Sequence, residues 1–137
     1  SHWSMAITPA QLAALRAQRG RHAEDAAEAH LLGLGHEMLA RNLRLGHLEV
    51  DLLSLDPHDG ALVLTEVKAR AGGRHAPELR VDRSKRRHLI LAARVLLQRA
   101  SFRRRAVRFD VIAVQLDPTG KSIDLRHIPR AFDANDG

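Results

Sequence analysis

Apolar positions recur along this chain with two different periods, and the switches between them mark out its elements. Thr8-Pro9 opens a helical stretch, with Thr8 as N-cap and Pro9 in the first turn, that runs to about Leu32 with a break allowed at Gly20. Ala23, Ala26, Ala27, His30, Leu31 and Leu34 form its apolar stripe, bordered by Glu24 on the side of Ala27 and Leu31. Gly33-Leu34-Gly35 ends it. His36 to Leu45 reads as a strand, although Glu37-Met38-Leu39-Ala40-Arg41 alone would pass as helix. Period two then governs Leu48 to Leu55 and Ala61 to Lys68, separated by the turn-forming run Asp56-Pro57-His58-Asp59-Gly60. Ala71 to Asp82, with Gly72-Gly73 and Pro77, reads as a loop. Ser84 is expected to N-cap a helix running to about Arg99, with Leu89, Ala92, Ala93, Leu96 and Leu97 buried. Arg108 to Leu116 is a strand, Asp117-Pro118-Thr119-Gly120 a turn, and Ser122 to Ile128 a short strand; from Phe132 onward the tail is expected to fray. Helix, three strands, helix, two strands: this order predicts an α/β domain, a mixed β-sheet flanked by helices on both faces.

The hairpin carries the chemistry. With its turn centred between His58 and Asp59, cross-strand partners have numbers summing to 117, so Asp51 falls opposite Glu66 and Glu49 opposite Lys68. Leu53, Leu55, Leu62 and Leu64 share the face of these four; Val50, Leu52, Val63 and Val67 fill the other. Two largely apolar faces describe strands covered on both sides. The acid pair then lies at the polar end of a covered sheet, partly removed from water. Two carboxylates about 5 Å apart repel by roughly 3 kcal/mol at an effective dielectric of about 20. A proton, a nearby cation or a metal ion must offset that repulsion, and a divalent-metal site is the reading adopted. The competing account is a solvated face carrying ordinary charges.

Composition narrows the classes. The chain has 137 residues, enough for one domain and one core, and no internal repeat. Ser1-His2-Trp3-Ser4 ahead of Met5 reads as an expression-tag remnant, residues 5–132 as a single domain and residues 133–137 as the frayed tail. Without cysteine there are neither disulfides nor thiolate-bound zinc. No apolar run approaches the roughly 20 residues needed to span a bilayer, so the expectation is a cytoplasmic protein without a membrane partner. There are 22 basic against 16 acidic residues, mostly arginine, clustered at Arg83-Ser84-Lys85-Arg86-Arg87 and Arg103-Arg104-Arg105. Such clusters suit phosphate recognition. Aromatic residues are only 3%, which argues against base stacking on single strands and for duplex or branched nucleic acid gripped through its backbone. The histidines, His47 near the acidic strand included, show no zinc spacing, and no Gly-rich phosphate loop or nucleophile elbow is present.

Asp51 followed by Glu66-Val67-Lys68 on the next strand resembles the PD-(D/E)XK nuclease core. Gly20 and Glu24 in the first helix, Asn42 and Arg44 before the hairpin, Glu49-Val50-Asp51-Leu52, Glu66-Val67-Lys68-Ala69-Arg70, Lys85 and Arg108-Phe109-Asp110 extend the match over roughly residues 15–132. As an ordered set they resemble the YraN family of uncharacterised bacterial proteins, which are similar to archaeal Holliday-junction resolvases. Val50 stands where the motif name implies proline, and Leu48 where the family usually has glycine. The resemblance implies a restriction-endonuclease-like core, a nuclease-like domain over residues 5–132, and a homodimer acting on two strands.

The residue types then suggest roles. Asp51 and Glu66 are expected metal ligands, with the Val67 carbonyl as a third and Glu24 joining directly or through water, unless Glu24 makes a helix-flank salt bridge. Carboxylate oxygens select magnesium or manganese. Lys68 either orients or deprotonates the attacking water or stabilises developing charge, and at rest pairs with Glu49. Lys85, near a helix start, meets a phosphate or is one more exposed cation. Arg44, Arg70, Arg83, Arg86 and Arg87 are candidate backbone contacts. The expected activity is Mg- or Mn-dependent hydrolysis of phosphodiesters in structured or branched DNA, with RNA second; the alternative is a nucleic-acid-binding module without turnover.

Overall fold

The computed structural model describes residues 6–71 and 79–136. Most of the loop expected between Ala71 and Asp82, and the tag remnant, lie outside the described residues. The elements are α1 (Pro9–Gly33), β1 (Glu37–Leu45), β2 (Leu48–Leu55), β3 (Leu62–Ala71), α2 (Arg83–Leu97), β4 (Val107–Leu116) and β5 (Ser122–Phe132), then a 3-10 turn at Ala134–Asp136. The five strands lie in the order β1-β2-β3-β4-β5; β3 and β4 run parallel and the other neighbours antiparallel. One helix covers each face, and this α/β arrangement is compatible with a restriction-endonuclease-like core.

α1 begins where Thr8 accepts from the Gln11 amide at 3.1 Å while the Gln11 side chain accepts from the Thr8 amide at 2.9 Å, a reciprocal cap. It passes Gly20 without a break and buries Ala23, Ala27 and Leu31 against Leu52, Ile112, Val114 and Leu116. The small alanines let the helix approach the sheet closely. α2 is capped by Asp82, whose carboxylate accepts from the Lys85 amide at 2.9 Å, and not by Ser84 as expected. Asp82 holds the extended backbone a cap requires, and Ser84 is already helical. The helix ends at Leu97 and buries Leu89, Ile90, Ala92, Ala93 and Leu96 against Leu53, Leu62, Leu64 and Val111. Each such leucine contributes about 1.5–3 kcal/mol by leaving water.

The β2–β3 ladder has the predicted register, with Leu52, Leu53, Ser54 and Leu55 opposite Thr65, Leu64, Val63 and Leu62. One facing assignment changes: Val50 packs with Leu48 and Leu53 on the α2 side, not with Leu52. Between the Arg41–Leu52 and Leu43–Val50 pairs, Asn42 adopts φ 51°, which interrupts the strict alternation of faces. β5 continues four residues past Ile128 to Phe132. As an edge strand it tolerates Pro129. Pairing is irregular there but resumes at Phe109–Phe132, whose rings stack at 4.7 Å. Phe132 is accordingly buried.

Candidate metal and phosphate site

The ladder between β2 and β3 stops at Leu52–Thr65, one residue short of Asp51. From there a side chain takes over the pairing: the Val67 amide donates to the Asp51 carboxylate at 2.8 Å. That bond turns Asp51 toward β3 and brings Glu66 within hydrogen-bonding reach of it. Burial, then the hydrogen bond and charge of Asp51, push the Glu66 carboxyl up to about 8, and Lys85 opposes the rise. The Lys85 amine lies 3.4 Å from Glu66, whose side chain is only 12% exposed. Lys85 reaches it from the third residue of α2, so the Asp82 cap that starts the helix also positions the cation. The Lys68 amine donates to the Arg80 carbonyl.

Glu66, Lys68, Arg70, Arg80, Asp82 and Lys85 wall a cleft of about 560 Å³. Four of these side chains are cationic, and they stand around the mostly buried Glu66. The hard oxygens of Asp51 and Glu66 fit Mg²⁺ or Mn²⁺, which usually take one or two carboxylates and retain water. The raised Glu66 carboxyl shows that the pair is short of compensating positive charge there.

Other expected residues are distributed differently. Glu24 pairs with Arg41 at 3.5 Å, and Arg41 also binds Asp25 at 2.6 Å. Among the described residues no three His, Asp or Glu side chains gather as a metal cluster, so Glu24 does not complete one with Asp51 and Glu66. Glu49 is exposed and opposes Arg44, also exposed, in the β1–β2 ladder. Arg70 lines the cleft; Arg86 donates to the Val81 carbonyl at 2.9 Å; Arg83 and Arg87 are exposed on α2. His47 faces His88, ring centres 6.2 Å apart, consistent with a rim position.

Sequence reasoning missed Arg80 and Asp82, and it missed a second charged assembly at the hairpin-turn end of the sheet. Arg108 donates to Asp56 at 2.6 Å and to Asp110 at 2.9 and 3.1 Å. Asp110 also accepts from His127 at 2.8 Å and from the Arg130 amide at 3.2 Å. His127 meets His30 at 3.0 Å, and His36 meets Ser54 at 2.9 Å. Burial works against charge on Asp110, but hydrogen bonds from His127 and Arg108 outweigh it and hold the carboxyl below its usual range. Asp56 is lowered in the same way, burial being outweighed by the His58 amide and Arg108. The ionised Asp110 accepts from Nε2 of His127, whose Nδ1 meets Nε2 of His30. His30 is lowered, by burial first and then by His127 and His36. The only sequence signal was the Arg108-Phe109-Asp110 triplet.

No helix among the described residues is long and apolar enough to cross a membrane. Residues 23–114 match the profile of the Uncharacterised protein family UPF0102. A UPF0102 protein of Nitratidesulfovibrio vulgaris (strain DP4) is 41% identical over 115 residues, covering 83% of each chain. One from Syntrophotalea carbinolica is 36% identical over 121 residues, 88% of this chain and 95% of its own. One from Cupriavidus taiwanensis is 39% identical over 121 residues, 88% and 86% respectively. The chain therefore belongs to the UPF0102, or YraN, family.

Proposed function

We propose that this protein is a Mg²⁺- or Mn²⁺-dependent nuclease that hydrolyses phosphodiester bonds in structured or branched DNA, with RNA the second choice. The observation that carries the reading is the Asp51–Glu66 pair, with Asp51 held by the Val67 amide and Glu66 set in the wall of a cationic cleft. Asp51, Glu66 and the Val67 carbonyl are the groups that would hold the ion. Bound there, the ion would neutralise phosphoryl oxygens and lower the pKa of a water. Asp51, already turned toward β3, presents its carboxylate without rearrangement. Glu66, whose carboxyl is raised by burial and by Asp51, would be the group whose ionised form a bound cation favours. Lys68, steadied by the Arg80 carbonyl, is placed to orient the attacking water or to stabilise the developing charge. Lys85 leaves Glu66 for the substrate phosphate, aided by the N-terminal end of α2. Arg70 and Arg80, with Arg83 and Arg87 outside the cleft, hold the backbone, which makes binding strongly salt-dependent.

The test compares branched and linear duplexes with either ion, for the native chain and for Asp51→Ala and Lys68→Ala. Each substitution should cut the cleavage rate by roughly 100-fold or more, as loss of one transition-state contact typically does. Cleavage that survives both removes these residues from the mechanism.

A second reading, a nucleic-acid-binding module without turnover, draws on the resting contacts: both cleft lysines already have protein partners, and two carboxylates rather than three come together. Salt-dependent binding with no metal-dependent cleavage or heat would select it.

A further inference from the structure

At the other end of α2 lies a cavity of about 430 Å³, enclosed by α2, the start of β4 and the end of β5. Its size is within the range of small-molecule sites. We infer that it binds a nucleotide, the ring resting on its apolar floor and the phosphate held by Arg94 and Arg130. The inference stands on this cavity alone and does not depend on the chemistry of the cleft.

The floor is Ile90, Ala93 and Leu97 of α2 with Phe132 of β5, and Phe132 is fixed in orientation by its stack on Phe109. A flat apolar bed with a fixed aromatic neighbour accepts a planar heterocycle at little entropic cost. Positive charge gathers at the mouth. Arg94 is exposed there and also lines an adjoining hollow of about 240 Å³ with Arg87. From Arg83 to Phe109 the sequence contains no Asp or Glu, so nothing on α2 neutralises this edge. Guanidinium groups match the fork geometry of a phosphate.

Arg130 supplies an independent observation. Its backbone sits at φ 53°, an uncommon conformation for a side-chain-bearing residue, and costs about 1–2 kcal/mol. The buried Asp110 holds it there by accepting its amide at 3.2 Å. The side chain is 76% exposed and pairs with Asp59 at 3.8 Å, a surface contact a phosphate can replace. Strained residues held by a buried partner concentrate at ligand clamps. One carboxylate, Asp133, also lines the cavity, with its Oδ1 accepting from the Asn135 amide at 2.8 Å.

The ring and phosphate can come from a free nucleotide or from the terminal residue of a nucleic-acid strand. The full chain, labelled with ¹⁵N, is titrated with adenosine 5′-monophosphate, with inorganic phosphate, and with a duplex carrying 2-aminopurine at a frayed end. The expected result is that the monophosphate shifts the amides of Ala93, Arg94, Leu97 and Phe132, and that inorganic phosphate binds at least tenfold more weakly. Arg94→Ala combined with Arg130→Ala should weaken the monophosphate at least tenfold, and Ala93→Phe, which fills the floor, should abolish it. Because Arg94 and Arg130 are exposed, the double variant tests the idea even if Ala93→Phe misfolds. A response of the 2-aminopurine assigns the strand end as source, and its absence with monophosphate binding assigns the free nucleotide. Asp51→Ala should leave monophosphate binding intact, which separates a failure of this site from a failure of the nuclease reading. Shifts confined to Lys68 and Lys85, binding indifferent to the arginine pair, or phosphate binding as tightly as the monophosphate would each overturn the proposal.

Discussion

Two regions of this molecule bury carboxylates, and they treat them in opposite ways. At the hairpin-turn end, Asp56 and Asp110 are surrounded by donors from Arg108, His127 and backbone amides, and both are held below their usual range. At the cleft, Asp51 and Glu66 face each other, and Glu66 is pushed up to about 8. The same low-dielectric interior operates in both places. In the first assembly each carboxylate accepts from a guanidinium, whereas in the second Glu66 meets the amine of Lys85 at 3.4 Å while facing another acid. The contrast is between carboxylates kept ionised by their donors and an acid pair in which burial and a like charge favour the proton.

The largest effect should come from breaking the first assembly. Asp110→Ala leaves the Arg108 guanidinium, 10% exposed, without its main partner and frees the strained Arg130 backbone. The expected loss is about 3–5 kcal/mol by denaturant unfolding, as for other broken buried pairs. A loss under about 1 kcal/mol would mean that water already compensates Arg108.

Glu66→Gln should act in the other direction. An acid whose folded pKa is raised binds its proton more tightly when folded, so the native chain loses stability as pH climbs from the unfolded value near 4.5 to about 8. The glutamine variant escapes that loss. It should match the native chain near pH 4 and exceed it by roughly 2 kcal/mol at pH 9. Parallel stability curves over that interval would show that Glu66 ionises freely.

The smallest effect sharpens the network side. His30 is lowered, so the folded state favours its neutral form, and stability present above pH 6.5 declines as pH falls toward the lowered value. His30→Gln should flatten this acid-side decline by about 1 kcal/mol or less, because the ring is only partly buried and water screens it. An unchanged slope between pH 6.5 and 5 would assign the decline to His36, whose lowering by burial is partly opposed by Asp56.

The acid pair was legible in the sequence because a period-two pattern and a turn centre leave one register, and a slip by one residue would have inverted both faces. Lys85 was placed beside a helix start, but its pairing with Glu66 was not foreseen, because it joins α2 to a strand distant in sequence. The cap was misplaced by two residues, since Asp82 and Ser84 are both good caps and only the path of the chain into the helix chooses between them. β5 was cut short at Ile128 because Pro129 reads as a stop, although an edge strand has no use for its missing amide. The Glu24 pairing turns on Arg41 standing on the α1 side of the sheet, opposite Leu52. The network escaped notice because Asp56, Arg108, His127 and His30 come from four separated segments, and no local pattern connects them.

The parallel pairing of β3 with β4 sets an order in time. Asp51 and Glu66 belong to a hairpin that closes a short loop, while Leu62 meets Val107 only after α2 has formed and crossed over. During folding the two acids are therefore neighbours before Lys85 arrives beside them, and the nascent hairpin must carry its repulsion with bulk water as the only relief. Refolding should accelerate in mild acid, where a proton does early what the crossover helix does late.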